Sequence, residues 1–521
     1  MKIARTSKTI LLLAFSLFAA SLIGLSQSPR LRPRLFSSDI RITVNPYGIA
    51  PLAAVADFTT RLKCRVQVKV LGEIEISKDF EDESVVHSIP ILGLYPNRDN
   101  TVILTLYAHN RTPETRTFSI PTGPLPDFFP EVKINTSHPD RIEPGMNLCS
   151  FSTSDGNTRM TYPFMFDRNG DIRWYLDLSR HSGWCVPFER IRNGRFVFGL
   201  SDSIYEYDML GKLTNQIAVP GYNFHHDIIE LPNGNFVAAG DKDGTTILSR
   251  NGLIPSLGDR MIEIDRLSGA IVTEWDLRQL LDVARNEPMN SDGDWFHLNS
   301  FWYSPQDDCL VVSGRHQGVI KVTRDNRLKW ILAGHVDWGK SGYDGSGPET
   351  APFLLTAVDP DGRPYDSLIQ DGLVSGADFD WAWGQHFPVI LSDGNIFVFD
   401  NGARRNFSAR GPFYSRAVEY QINETEMTVR QVWEYGKDRG QDTFSLVISN
   451  VDNLPLTQNR LFVPGIVEIP PAYYAKVIEV TYPGKTVVFE ATISFKNLLA
   501  DSLDNGPYDT IYRAHRLSLY P

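Results

Sequence analysis

The sequence predicts an all-β protein, a six-bladed β-propeller preceded by a small N-terminal β-sandwich. Two observations favour this fold class. Residues 40–120 alternate apolar and polar side chains in short runs, such as RVQVKVLGEIEI (65–76) and TVILTLYAH (101–109), which is typical of a small antiparallel sandwich. Beyond them, one hairpin pattern returns at intervals of roughly 40 to 60 residues, the period of four-stranded propeller blades.

The composition describes a well-packed globular protein and narrows its partners. The chain has 521 residues, of which 42% are hydrophobic, and a net charge of −11. Binding to nucleic acid needs a basic surface, so this charge argues against it. The four cysteines, at positions 64, 149, 185 and 309, lie far apart. An oxidising compartment would permit a disulfide, and the spacings do not suggest zinc.

The N-terminus, residues 1–26, reads as an export segment. Basic residues at positions 2, 5 and 8 precede the apolar run 10–25, and Gly24-Leu25-Ser26 offers small residues for cleavage. The run is long for a signal peptide, and arginines follow it, so a retained membrane anchor is the alternative. Either outcome places the body of the protein outside the cytoplasm, and we expect it in the periplasm.

The rest of the chain divides into three parts: the sandwich at 38–122, a proline-rich linker at 123–140, and the propeller at 141–521. Six hairpin copies define the propeller, each an apolar strand, a polar turn and a second strand that often ends in an aromatic residue. The copies are FMFDRNGDIRWYLDL (164–178), IYEYDMLGKLTNQI (204–217), MIEIDRLSGAIVTEWDL (261–277), VIKVTRDNRLKWIL (319–332), AVEYQINETEMTVRQVWEY (417–435) and VIEVTYPGKTVVFEATI (477–493).

Three histidines precede strands that lie between these hairpins. His386 comes eight residues before Gly394, and His226 comes eight before Gly234; His297 opens a similar stretch with a longer turn. Equivalent inner strands of a propeller face one channel, so the three imidazoles should converge at its mouth. The first blade carries Val186 at this position, so the repeat itself does not require histidine. The alternative is three separate histidines, each satisfied within the core.

Two further features point to a site around this channel. Arg315, in VVSGRHQG, offers planar donors that suit sulfate, phosphate or carboxylate oxygens. A Gly-, Asp- and Pro-rich insertion at 337–380 directly precedes His386, and a loop this long suggests a lid rather than decoration. Aromatic residues in the same segments could form a wall for an aryl ring: Trp295, Phe296, Trp302, Trp381, Trp383 and Phe387.

At this point the motifs resemble a known family, the bacterial arylsulfate sulfotransferases. HHDIIELPNGN, DWFHLNSFWY, SGRHQG and WGQH occur in the order of its propeller motifs, and NPYGIAPLAAV (45–55) resembles its N-terminal domain. The resemblance implies a periplasmic six-bladed propeller, a homodimer in some members, that moves a sulfuryl group between phenols without a nucleotide donor. It implies small-molecule substrates, an aryl sulfate donor and a phenolic acceptor, and neither a metal nor another cofactor.

Site residues can be carried over only at matching motif positions. His386 of WGQH matches the nucleophile, and His297 and Arg315 match the residues that hold the sulfuryl group. The third histidine lies in FHHD, where the motif does not separate His225 from His226. The eight-residue offset favours His226 as the catalytic residue, which leaves His225 as a substrate-binding candidate.

Asn299, two residues after His297, is a further candidate donor to the substrate. The expected chemistry is ping-pong transfer: a neutral imidazole attacks sulfur, expels a phenolate and forms a sulfohistidine that the acceptor then attacks. Arg315 and the other histidines would stabilise charge on the sulfuryl oxygens, and either His226 or His297 could move the proton.

Two other functions fit parts of this pattern. A metal-dependent propeller hydrolase could use the histidines for zinc or the Asp-rich turns for calcium. Against it, the histidine positions of the repeat carry no carboxylates, and Arg315 would repel a cation. A non-catalytic propeller could bind a glycan or a protein. A metal assay tests the first alternative, and phenol release from an aryl sulfate tests the second.

Overall fold

The computed structural model describes residues 34–154, 158–249, 252–285, 293–496 and 509–521 and is almost entirely β. The predicted export segment at 1–26 lies outside the described residues. Among those that are described, helical segments are short: one α-helical turn, α1 (Ser367–Gln370), and 3-10 turns at Leu277–Gln279, Ala351–Phe353, Arg405–Phe407 and Lys437–Thr443. None of them is long and apolar enough to cross a membrane.

The N-terminal domain is one five-stranded antiparallel sheet. Its strands are β1 (Arg41–Val44), β2 (Ala54–Val70), β3 (Ile76–Ile91), β4 (Asp99–Tyr107) and β5 (Glu114–Pro121). β2 pairs with β3 along one edge and with β1 and β4 along the other. Alternation drives this packing, because Val66 and Val68 are buried while Gln67 between them is only half-buried. Register shifts between Thr59 and Val66 bend β2.

The remainder of the chain forms short strands. They are β6 (Glu131–Ser137), β7 (Met146–Ser154), β8 (Arg159–Thr161), β9 (Phe164–Phe166), β10 (Ile172–Tyr175), β11 (Val186–Arg190), β12 (Phe196–Leu200), β13 (Ser203–Tyr207), β14 (Leu213–Ala218), β15 (Tyr222–Glu230), β16 (Phe236–Lys242), β17 (Thr246–Ser249), β18 (Gly252–Pro255), β19 (Arg260–Ile264) and β20 (Ile271–Asp276). The second half continues with β21 (Leu298–Ser304), β22 (Cys309–Gly314), β23 (Gly318–Thr323), β24 (Leu328–Leu332), β25 (Thr356–Ala357), β26 (His386–Ile390), β27 (Ile396–Asp400), β28 (Arg416–Asn423), β29 (Thr428–Tyr435), β30 (Asn450–Asn453), β31 (Arg460–Val463), β32 (Val467–Ile469), β33 (Ala472–Val480), β34 (Val487–Ser494) and β35 (Thr510–Leu517).

Most of these strands pair into six sheets, and each sheet contains four successive antiparallel strands. In order, the four positions are occupied by β35-β7-β9-β10, β11-β12-β13-β14, β15-β16-β19-β20, β21-β22-β23-β24, β26-β27-β28-β29 and β30-β31-β33-β34. β6 adds a fifth strand to the last sheet by pairing with β34, so the segment predicted as a linker contains a strand of the sheet system.

All six predicted hairpins are confirmed, and each is the third and fourth strand of one sheet. Side chains in the turns explain why the pattern was readable. The carboxylate of Asp167 accepts backbone N–H groups at 3.0 and 3.2 Å, and that of Asp208 accepts two at 2.9 Å. Such turns are local and leave a clear trace in sequence.

The first strands of the six sheets contact one another in chain order. β11 contacts β15, β15 contacts β21, β21 contacts β26, and β26 contacts β30. β30 and β11 both contact β35, so the C-terminal strand closes this ring of strands. The closing sheet therefore joins β7, near the start of this region, to β35 at its end.

The N-terminal domain shares a hydrophobic core with the first, second and last sheets of this ring. A buried arginine fastens the contact: Arg173 donates to the carbonyl oxygen of Gly93 at 2.7 and 3.0 Å and stacks 3.6 Å from the ring centre of Tyr95. Its charge is paired with Asp167 at 2.8 Å. A buried charge needs such a partner. With its charge paired in this way, Arg173 joins the two regions through buried hydrogen bonds.

Candidate active site

The three histidines lie on or directly before three neighbouring first strands. His226 is inside β15, His297 directly precedes β21, and His386 is the first residue of β26. All three strands have a register shift at this end. A bulge re-aims side chains, and here it turns imidazoles from separate sheets toward each other.

The backbone at these bulges is unusual. His226 and His297 have φ values of 53° and 52°, and Phe387, next to His386, has a φ of 54°. Left-handed backbone costs a residue other than glycine roughly 1–2 kcal/mol, and strained backbone of this kind is concentrated at functional sites. The three sheets thus accept the same local strain at the same end.

His226 is the member of the His225-His226 pair that meets the other site residues. Its ring centre lies 5.0 Å from that of His297. A regular strand would turn these two neighbours to opposite faces, but the bulge leaves their Nδ1 atoms 2.8 Å apart. His225 also lies 3.4 Å from the carboxylate of Asp241. Burial is the largest cause that holds the pKa of His226 well below its usual value.

His386 is buried, and its hydrogen bonds define its tautomer. Nδ1 lies 2.8 Å from Oδ1 of Asn401 and 3.1 Å from the carbonyl oxygen of Gly384. The amide nitrogen of Asn401 donates to two carbonyl oxygens, of Ser445 and Ile448, which fixes Oδ1 as the acceptor. Nδ1 of His386 therefore carries the proton, and Nε2 carries the lone pair. Burial, followed by the charge of Arg315, holds the pKa of His386 well below its usual value and keeps the ring neutral.

His297 has a carboxylate partner. Its Nδ1 lies 2.5 Å from Oδ2 of Asp294, three residues earlier, and its ring centre lies 5.0 Å from that of His316. Burial alone would raise the pKa of Asp294. The hydrogen bond with His297, together with the other polar groups around it, outweighs burial and lowers this pKa below its usual value, so Asp294 is ionised. Nδ1 of His316 donates to the backbone oxygen of Asp294 at 2.7 Å, and burial lowers the pKa of His316 to about 4.

Arg315 and Asn299 flank the histidines. The backbone N–H of Arg315 donates to the carbonyl oxygen of His297 at 3.0 Å, so this arginine is held directly beside that histidine. The amide of Asn299 donates to the carbonyl oxygen of Gln385 at 2.7 Å. Asn299 thus anchors the residue before His386, and this contact links β21 to β26.

The C-terminal strand, β35, supports the backbone of the site through hydrogen bonds. The sequence did not predict this role. The hydroxyl of Tyr512 donates to the carbonyl oxygen of His226 at 2.9 Å. Arg513 donates to the carbonyl oxygen of Asn299 at 3.2 Å and to the carboxylate of Asp227 at 2.8 Å. β35 holds no motif of its own, and its role follows only from ring closure. Asp294 could have been found, because it lies three residues before a candidate histidine.

Most of the aromatic residues predicted to form a wall belong to the core. Trp302 is partly exposed, while the others are buried: Trp295, Phe296, Trp381, Trp383 and Phe387. The insertion at 337–380 contains α1 and β25, and β25 extends the fifth sheet beyond β29. The backbone of Ile369 in α1 accepts a hydrogen bond from Trp381 at 2.8 Å. The insertion thus packs against the segment that leads to His386, and its role as a lid stays a prediction.

Asp294, His297 and His316 form a cluster whose potential metal-ligand atoms lie within 4.8 Å of one another. Two ligands bound to zinc at about 2.0–2.1 Å in tetrahedral geometry are separated by roughly 3.3 Å. The 2.5 Å separation of Asp294 Oδ2 and His297 Nδ1 is shorter and is that of a hydrogen bond. Arg315 adds a positive charge nearby. This arrangement suits an anion better than a metal.

Comparison with known proteins finds two family models that match this chain and two similar proteins. The family model described as Arylsulfotransferase (ASST) matches residues 131–503, and that described as Arylsulfotransferase Ig-like domain matches residues 41–123. The arylsulfate sulfotransferase AssT of Escherichia coli O6:H1 is 28% identical, and the alignment covers 91% of this chain and 92% of that protein. The arylsulfate sulfotransferase AssT of Lelliottia amnigena is 26% identical and covers 96% of each chain.

The two family models and the two similar proteins together define an enzyme of the sulfotransferase class. The family model spans well over half of the sequence. The chain belongs to the arylsulfotransferase family.

Proposed function

We propose that the protein transfers a sulfuryl group from an aryl sulfate to a phenol, without a nucleotide donor, through a sulfohistidine on His386. The observation that carries this proposal is the environment of that ring. Asn401 holds the proton on Nδ1, so Nε2 presents a lone pair, and a lowered pKa keeps the ring neutral. A neutral, oriented imidazole next to a guanidinium is the nucleophile that an anionic sulfate ester requires.

The first half of the reaction forms a bond between His386 Nε2 and sulfur. The bond between sulfur and the aryl oxygen breaks, and its electron pair leaves with the phenolate. Arg315 offsets the charge of the sulfuryl oxygens, which is worth roughly 3–4 kcal/mol for one preorganised donor. In the second half, the oxygen of an acceptor phenol attacks sulfur, the N–S bond breaks, and the electron pair returns to His386.

We also propose that the six sheets are the blades of a propeller over residues 141–521, after a separate domain at 38–122. The closed sequence of contacts among the first strands supports this arrangement. The export segment at 1–26 and the family together favour a periplasmic protein, either free or anchored, and a homodimer is the family-based expectation. N-terminal sequencing of the purified protein distinguishes cleavage from anchoring, and light scattering gives the oligomeric state.

The decisive experiment exposes the protein to 4-nitrophenyl sulfate without an acceptor, followed by quenching and peptide mass analysis. The added sulfuryl mass should appear on the peptide that contains His386 and should be absent in His386→Ala. His181→Ala is the matched control, since this ring bonds to Tyr207 in a different sheet. With an acceptor present, double-reciprocal plots should be parallel. Modification of another histidine, or a requirement for a nucleotide sulfate, contradicts the proposal.

A further inference from the structure

The proposed reaction leaves open which group moves the proton, and the structure distinguishes the two histidines that could do so. His297 donates from Nδ1 to the ionised Asp294, whereas Nδ1 of His226 faces Nδ1 of another imidazole, that of His225. The nearest acidic residue in sequence to His226 is Asp227, and its carboxylate is already paired with Arg513 at 2.8 Å. The carboxylate of Asp294 is therefore available to stabilise a proton on His297. The carboxylate of Asp227, next to His226, is already engaged by Arg513.

We propose, on the basis of the function above, that Asp294 is the positioning residue that makes His297 the acid–base group of sulfuryl transfer. By holding the Nδ1 proton, Asp294 fixes the ring so that Nε2 faces the reaction. Its negative charge compensates the positive charge of the ring while the second proton is present.

The proton then follows the bonds. As the bond between sulfur and the aryl oxygen breaks, the proton on His297 Nε2 moves to the departing oxygen, so that a neutral phenol leaves and His297 becomes neutral. In the second half, the acceptor phenol gives its proton to His297 Nε2 while its oxygen attacks sulfur. The same group serves as acid and then as base, and no other reactant is needed.

The test compares two donors whose leaving groups differ in their need for a proton. 4-Nitrophenolate is a stable anion and leaves unaided, whereas the phenolate of phenyl sulfate depends on general acid catalysis, which contributes roughly 100- to 10,000-fold. In Asp294→Asn, formation of sulfo-His386 should slow at least about 100-fold with phenyl sulfate and only a few-fold with 4-nitrophenyl sulfate. His297→Gln should show the same selectivity, and the double variant should add little to it.

Asp241→Asn provides a matched control. Asp241 is the other carboxylate beside a site histidine, and it accepts the backbone N–H of Gly258 at 2.6 Å. Its loss should slow both donors by the same factor. Asp294→Glu, which keeps a carboxylate, should recover part of the rate with phenyl sulfate, and together with His297→Gln it carries the test if Asp294→Asn does not fold.

An equal slowing of both donors in Asp294→Asn would overturn the inference, because it would show a purely structural role. So would elemental analysis that finds stoichiometric zinc in the wild-type protein and none in Asp294→Asn. The underlying proposal fails separately: if the wild-type protein forms no sulfo-His386, the sulfohistidine route is wrong. If the intermediate forms but the donor selectivity is unchanged, only the role of Asp294 is wrong.

Discussion

Replacing Asn401 with alanine tests whether the tautomer of His386 controls its reactivity. The substitution removes the 2.8 Å hydrogen bond that favours the proton on Nδ1 and leaves only the 3.1 Å contact with Gly384. A buried hydrogen bond contributes about 1 kcal/mol, and each 1.4 kcal/mol is a factor of ten. The reactive population of His386, and with it the rate of sulfohistidine formation, should fall about fivefold.

The same substitution also destabilises the fold. The carbonyl oxygen of Ile448 loses its donor, while that of Ser445 keeps a contact with Ser415 at 3.3 Å. An unpaired buried acceptor costs roughly 1–3 kcal/mol in the free energy of unfolding. Asn450→Ala is the matched control, because Asn450 exchanges two hydrogen bonds with the backbone of Ala514 and its side-chain bonds do not involve a site histidine.

The assay is a single-turnover burst of 4-nitrophenolate at saturating donor, with unfolding by urea measured in parallel. Both variants should lose stability, and Asn401→Ala alone should slow the burst. If the two variants lose stability and keep wild-type burst rates, then the bond to Asn401 does not set the tautomer. The carbonyl oxygen of Gly384 would then be the group that holds the proton on Nδ1 of His386.

Three further predictions follow from the same geometry. Activity should survive exhaustive chelation with EDTA, and a loss restored by zinc would instead favour a metal-dependent hydrolase. Arg315→Ala with either donor, and His297→Ala with phenyl sulfate, should still form sulfo-His386 but roughly 100- to 1000-fold more slowly; complete absence of the intermediate in either variant would contradict a role limited to charge stabilisation or proton transfer. His515, between Glu189 and Asp452, has a pKa raised to about 10: burial lowers it, and the charges and hydrogen bonds of the two carboxylates together raise it more. Its contribution to stability should be complete below about pH 6.5 and be lost as the pH rises toward 10, so the wild-type advantage over His515→Gln in thermal unfolding should shrink over that range; an advantage that grows instead would show that His515 is neutral.

The repeat was predictable because its information is local. Each predicted hairpin carries turn residues such as Asp167 and Gly170 within a few positions of the strands they join, and Gly170 adopts a φ of 93° that favours glycine. The three histidines were likewise visible because each stands a short, similar distance before a turn of the repeat. Their clustering then required only that the sheets present the same end to each other.

The supporting residues were not predictable, because they reach the site from distant parts of the chain. Asn401 follows β27, Tyr512 lies on β35, and each contacts a histidine through a relation that only the pairing of whole sheets creates. The sequence favoured His226 over His225, but the close approach of the two rings was not predictable. Period-two alternation assumes a regular strand, and the bulge in β15 replaces it with a left-handed residue.

The sheet assembled from β7 and β35 sets the moment at which the site can exist. A chain emerging from the ribosome carries His226, His297, Arg315 and His386 long before residues 510–517 are made. Until then the ring of first strands is open, and the backbone of His226 lacks the hydroxyl that supports it. Every nucleophilic and cationic group is thus synthesised early and becomes useful only at the end. We therefore expect reactivity toward sulfate esters to arise only once the strand at 510–517 is in place.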